Sequence, residues 1–319
     1  MLKLANPSLI PKPLGCNEFD VTGSVNVTCS NAVRTYIDAL CKVVWPNFDH
    51  SLLAAGFTQF ERYVSGLEPR YRPLDTPYHD LQHSLDVCLC MTRLLAGHDR
   101  HATASERFGP NGALFGILCA LFHDSGYLRR IDEYHLSHGA ELTKIHVSRS
   151  VYVLRSALQE IGLATSNPAA VELVHYTGDE RAIHEIDATG NERTLGYLLG
   201  TADLLAQMAD RCYLEKIRDR LYPELVIANP AWMDKSACRS PEDLLKATPA
   251  FVDTAFRTRL DGAFGRSYRW IEGACDEENP YLISIQRHMN HLRASFSAGV
   301  WPALRRIPPS KSPRNASAR

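Results

Sequence analysis

The chain has 319 residues, 45% of them hydrophobic and 22% charged, with 19 glycines and 18 prolines. That composition excludes collagen-like, coiled-coil and wholly disordered chains, and the length is enough for one large domain or two smaller ones. The 35 basic and 36 acidic side chains leave a formal net charge of -1, so no overall field draws the chain to nucleic acid or an anionic membrane.

Residues 1–30 read as irregular, because Pro7, Pro11, Pro13 and Gly15 break any period, and they lack the unbroken apolar run of a secretory signal. Helical spacing begins with Ser30 or Asn31 as cap and Val33, Ile37, Leu40, Val43 and Val44 on one face. It resumes over 52–67, stops at the proline-bearing loop 70–77, and returns in a helix opening near His79. Residues 113–122 are apolar all round, as a helix buried on every side must be, and too few to cross a bilayer. Further helices are predicted at 138–162, 167–176, 192–220, 241–260 and 279–298, with no strand ladder and no internal repeat. From Trp301 onward four prolines and five unpaired basic residues predict a disordered tail. The nine cysteines show no C-x-x-C spacing, and Cys88, Cys90 and Cys119 lie in apolar runs, so a reduced, cytoplasmic protein without a membrane span is expected.

Ionisable groups placed where burial is predicted carry the functional signal. His123 and Asp124 end the most apolar helix, where an uncompensated carboxylate would cost several kcal/mol. A metal would compensate it; the plainer alternative is a helix end at which His123 caps carbonyls and Asp124 starts a turn. Upstream, in Y-H-D-L-Q-H-S-L-D-V, His79 and His83 are four apart and are placed on one helix face, with Asp86 following. Downstream, His146, His175 and Asp203 each stand beside apolar residues inside predicted helices, as metal ligands in a helical bundle do.

Taken together, the order H…HD…D resembles the HD superfamily of metal-dependent phosphohydrolases. Y-H-D-L-Q-H-S-L-D-V is most similar to the first motif of class I cyclic-nucleotide phosphodiesterases, Y-H-N-x-x-H-A-x-D-V, and T-A-D-L to their last. The similarity covers residues 75–215 and also takes in uncharacterised bacterial HD proteins. It implies an all-α HD-type bundle around a buried dinuclear metal site. In that arrangement His83, His123, Asp124 and Asp203 hold a first ion, Asp124 bridges to a second, and His79 is the general acid. Asp80 departs from the family's Asn, and Ser125-Gly126-Tyr127 from its His-Pro-Gly. With His146 and His175 added, the ligand order also resembles HD-GYP phosphodiesterases and mixed-valent di-iron oxygenases, although Y-T-G-D-E-R after His175 lacks the Gly-Tyr-Pro signature. Four histidines and two carboxylates favour Fe or Mn, with Mg, Zn or Ni as alternatives.

The expected activity is hydrolysis of a phosphoester, foremost a phosphodiester in a nucleotide or cyclic nucleotide. The alternative is a di-iron oxygenase acting on a small phosphonate or polyol. Lys144, Arg149, Arg211, Gln207 and Tyr127 are the candidates for substrate contact, each weighed against a solvated or packed helix face. The partner is therefore a small phosphorylated substrate, with neither nucleic acid nor membrane expected. The chain divides into an irregular segment 1–30, a catalytic domain 31–222, a helical extension 223–300 and the tail 301–319. The extension is left to close the bundle, cover the pocket or form a homodimer face.

Overall fold

A computed structural model describes residues 17–163, 168–229, 238–271 and 278–309. The described residues are all-helical, with two isolated antiparallel bridges and no strands. No helix among them is long and apolar enough to cross a membrane.

Helices α1 (Ser30–Val44) and α2 (His50–Val64) pack by their apolar faces on α3 (Leu81–His101) and α4 (Gly109–Phe122). Asp49 caps α2 by accepting from the amides of Ser51 and Leu52, whereas Cys29 at the head of α1 offers no side-chain cap. The apolar run at 113–122 is buried as expected. Gly116 lets Met91, Leu95 and Leu195 close on α4, since a Cβ there would meet the Leu195 side chain at 2.9 Å.

The stretch 138–162 is two elements: a short 3-10 turn (Gly139–Leu142) and then α5 (His146–Glu160). His138 and Glu141 form a reciprocal cap around the turn, which satisfies the backbone there and breaks the predicted single helix. A ten-residue 3-10 segment (Pro168–Thr177) follows, and then α6 (Gly190–Ala209). The predicted helix over 192–220 breaks at Asp210, whose side chain accepts from the Cys212 amide and pairs with Lys216. The chain resumes as α7 (Tyr213–Lys216), passes through a π turn (Ile217–Leu221) and continues into α8 (Tyr222–Ala228). Ser240 caps α9 (Pro241–Ala255), and Asn279 caps α10 (Pro280–Ser297).

The extension lies against the rest of the bundle. In α10, Ser284 donates to the Ala209 carbonyl, and Tyr281 accepts from the guanidinium of Arg93, which is itself buried and paired with Asp20 at 2.8 Å. The first half of the expected disordered tail is ordered instead. Its prolines prevent helix, but Arg306 donates its amide to Glu215, and Asn17 reaches the Ile307 carbonyl, fastening 301–309 to the surface. Residues 310–319 lie outside the described residues.

Candidate metal centre

Four elements deliver the candidate ligands. At the head of α3, Asp80 stands in extended backbone and accepts the His83 amide at 3.1 Å, fixing the first helical turn. Its second oxygen receives Arg220 at 3.0 Å. Asp80 therefore both caps the helix and forms an ion pair. This placement also corrects the expected geometry: His79 lies ahead of the cap, so it does not share the α3 face with His83.

His123 closes α4 and donates Nδ1–H to the Ala120 carbonyl at 2.8 Å, which leaves the Nε2 lone pair facing inward when the ring is neutral. His123 thus caps a carbonyl, as the plainer reading of the dipeptide expects, and its Nε2 faces the cluster. Beyond Asp124 the chain turns under α5. Only glycine fits at position 126, since a Cβ there would lie 1.7 Å from the His146 carbonyl oxygen. That close passage brings in His146, whose Nδ1 donates to the Thr143 carbonyl at 2.6 Å, again leaving Nε2 for a ligand. Asp203 comes from the middle of α6.

His83, His123, Asp124 and Asp203 are all buried, and their donor atoms converge. His83 Nε2 lies 3.2 Å from His123 Nε2 and 3.3 Å from both Asp124 Oδ2 and Asp203 Oδ1. His123 Nε2 lies 3.1 Å from Asp124 Oδ2 and 3.7 Å from Asp203 Oδ1. On the other side of the carboxylate, Asp124 Oδ1 is 3.6 Å from His146 Nε2. Two imidazole nitrogens in contact and a buried Asp124 Oδ2 without a directed hydrogen bond fit a shared cation. Among the described residues, the donor atoms of His83, His123 and Asp203 lie close enough to one another to hold one ion.

The protonation states agree with that fit. Burial opposes charge on His83, yet Asp124 and Asp203 outweigh it and push its pKa up to about 10. Burial likewise opposes the Asp124 carboxylate, and His123, His79 and His83 hold it well below its usual range. The two carboxylates thus favour a positive charge at the centre of the cluster.

The structure places the remaining candidates unequally. His79 is half-buried and passes its Nδ1 to Glu224, whose other oxygen accepts the Tyr78 amide at 2.8 Å and the His79 amide at 3.4 Å. Burial works against the His79 cation, but the charges of Glu224 and Asp124 raise its pKa. Tyr127 is buried, with its ring 4.7 Å from that of His79 and 4.4 Å from that of His146. Gln207 is half-buried and accepts from Tyr78 at 3.4 Å. His175 does not join the cluster: it is fully buried with its Nε2 3.4 Å from Glu172, which also pairs with Arg155 and Arg181. Arg149 is committed to Glu133 and to the carbonyls of Gly126 and Leu128, so it braces the loop after Asp124. Lys144 is exposed without a contact to the cluster, and Arg211 donates to the Asp20 carbonyl on another face.

Glu224 is the residue sequence reasoning missed. It sits 145 positions from His79, in the first turn of α8, and is 2% exposed. An acidic residue in the first turn reads as ordinary complement to the helix dipole, and nothing local distinguishes it. No protein-family model matches the chain, and no curated protein matches it either.

Proposed function

We propose that the chain is a metal-dependent phosphohydrolase acting on a phosphodiester, with a nucleotide or cyclic nucleotide as the substrate class. The observation that carries this reading is the buried Glu224 carboxylate against His79, beside the convergent donors of His83, His123, Asp124 and Asp203. An acid held in its charged form next to a cation site is what cleavage of an unactivated ester requires.

In this reading His83, His123, Asp124 and Asp203 hold one divalent ion, with Fe or Mn best suited to the mixed imidazole and carboxylate donors. Asp124 Oδ1 and His146 Nε2 supply the start of a second position. Bound there, the metal lowers the pKa of a water and offsets charge on the phosphate. The residues of the chain perform the proton chemistry. As hydroxide, left when the water gives one proton to solvent, bonds to phosphorus and the bond to the leaving oxygen breaks, His79 gives that oxygen its Nε2 proton. Glu224 keeps Nδ1 satisfied and the ring charged until transfer, and Tyr127 limits the tilt of the ring by packing against it. The oxygenase alternative uses His175 as a ligand, and the position of that side chain beside Glu172 lends it less support.

The test is hydrolysis of bis-p-nitrophenyl phosphate by Mn-loaded protein, with Asp124→Asn as control. The proposal expects activity that disappears in the variant. Equal rates in both, or oxygen uptake by iron-loaded protein without any ester hydrolysis, would overturn it.

A further inference from the structure

A second site lies apart from the metal centre. A cavity of about 600 Å³ opens between the segment after α6, the face of α10 and residues 303–306. Four guanidinium groups line it, those of Arg211, Arg287, Arg305 and Arg306, against a single carboxylate, Glu215. Glu215 is already engaged by the Arg306 amide at 3.0 Å. Some other surface arginines are matched by acids, as Arg130 is with Asp132, Arg218 with Asp219 and Arg293 with Asp253. Arg287 and Arg305 have neither an ion pair nor a hydrogen bond among the described residues, and both are exposed at the cavity. In a chain with a net charge of -1, that local excess of positive charge calls for an anion.

We propose that this cavity binds a small phosphorylated molecule carrying several negative charges, of nucleoside-triphosphate size. The volume falls in the range of small-ligand sites, about 300–1,000 Å³. Guanidinium groups recognise phosphate through forked, charge-assisted hydrogen bonds. The apolar side chains of Val21, Leu214 and Ile283 on the cavity wall suit an uncharged portion of the ligand. His288, at the cavity floor, is fixed by its bond to the Met208 carbonyl, and its burial and the Arg306 charge favour the neutral ring. None of the four metal ligands lines the cavity, so this inference stands independently of the proposed hydrolysis.

Titration calorimetry on the metal-free full chain in EDTA, with ATP and with inorganic tripolyphosphate, tests the site. At least one of the two should bind at one per chain with a submillimolar Kd that weakens as salt rises. Arg287→Ala and Arg305→Ala should each weaken it about tenfold or more, the scale of one charge-assisted hydrogen bond. The double charge reversal Arg287→Glu/Arg305→Glu should abolish binding with an unchanged melting temperature, and the double lysine variant should retain part of it. Asp124→Asn should leave it unaltered. Absence of binding by both probes, binding that survives the double reversal, or binding lost in Asp124→Asn would each overturn the proposal.

Discussion

Replacing Glu224 by glutamine keeps the shape of the side chain while removing its charge and one of its two acceptors. In the native protein one oxygen takes Nδ1–H of His79 and the other takes the amides of Tyr78 and His79. A glutamine has one acceptor oxygen, so either the imidazole or the backbone pair must face an NH2 group. A buried donor left facing a donor costs about 1–3 kcal/mol, which sets the expected loss in stability. The catalytic effect should be larger for one class of substrate. General acid catalysis contributes about 10²–10⁴-fold, and an acid without its orienting charge should lose about 10²-fold of that on alkyl phosphodiesters. On bis-p-nitrophenyl phosphate, whose leaving group scarcely needs a proton, the variant should stay within about threefold of native. The pH profile separates this role from simple misfolding. Glu224 raises the pKa of His79, so its loss should move the alkaline limb of kcat to lower pH. Stability follows the same linkage. The contribution of His79 is fully present below about pH 6.5 and fades as pH rises through its raised value, while that of Glu224 is lost in acid as pH falls through its lowered one. Steady-state rates on both substrates across pH, with metal content measured in parallel, make the assay. Equal losses on both substrates with an unmoved alkaline limb would refute the role.

Arg149→Ala should lower stability by about 2 kcal/mol through the loss of its bonds to Glu133, Gly126 and Leu128, and leave KM unchanged; a raised KM at constant melting temperature would make it a substrate contact instead. His288 is buried and hydrogen-bonded to a carbonyl, and its pKa is lowered from 6.5 to about 4. The unfolded chain therefore takes up a proton first as pH falls through 6.5, and the native protein should lose up to about 3 kcal/mol by pH 4 that His288→Gln keeps. Parallel denaturation curves for the two proteins would contradict that assignment.

The helical class and the heart of the cluster were legible because burial imposes a pattern on local sequence. The run 113–122 has no polar face, so the His123–Asp124 pair that ends it stands out as chemistry placed in a core. His83 and Asp203 stand out less by burial than by the spacing in Y-H-D-L-Q-H-S-L-D-V and the stretch T-A-D-L. The helix does open next to His79, but the shared face of His79 and His83 fails, because a capping aspartate and an ordinary helical residue look alike until the Asp80 carboxylate is seen against the His83 amide. The break at Asp210 was hidden for the same reason, since its cause is the side chain's bond to the Cys212 amide and its pairing with Lys216. His175 and Arg149 are not sorted by spacing: Glu133 and two loop carbonyls hold Arg149, and His175 lies fully buried beside Glu172 with neither ring nitrogen hydrogen-bonded. Glu224 was beyond local reasoning altogether. Its bonds to Tyr78 and His79 exist only once α8 has folded back onto the segment before α3, which places the start of the extension beside His79.

The most direct test is metal content. Protein purified, loaded with Mn or Fe and freed of excess metal should retain at least one ion per chain by elemental analysis. Asp203→Ala and His123→Ala, each removing one of the converging donors, should fall close to zero while keeping the helical circular dichroism spectrum. Native protein that retains no metal, or variants that retain as much as native, would contradict the assignment of His83, His123, Asp124 and Asp203 as a metal centre.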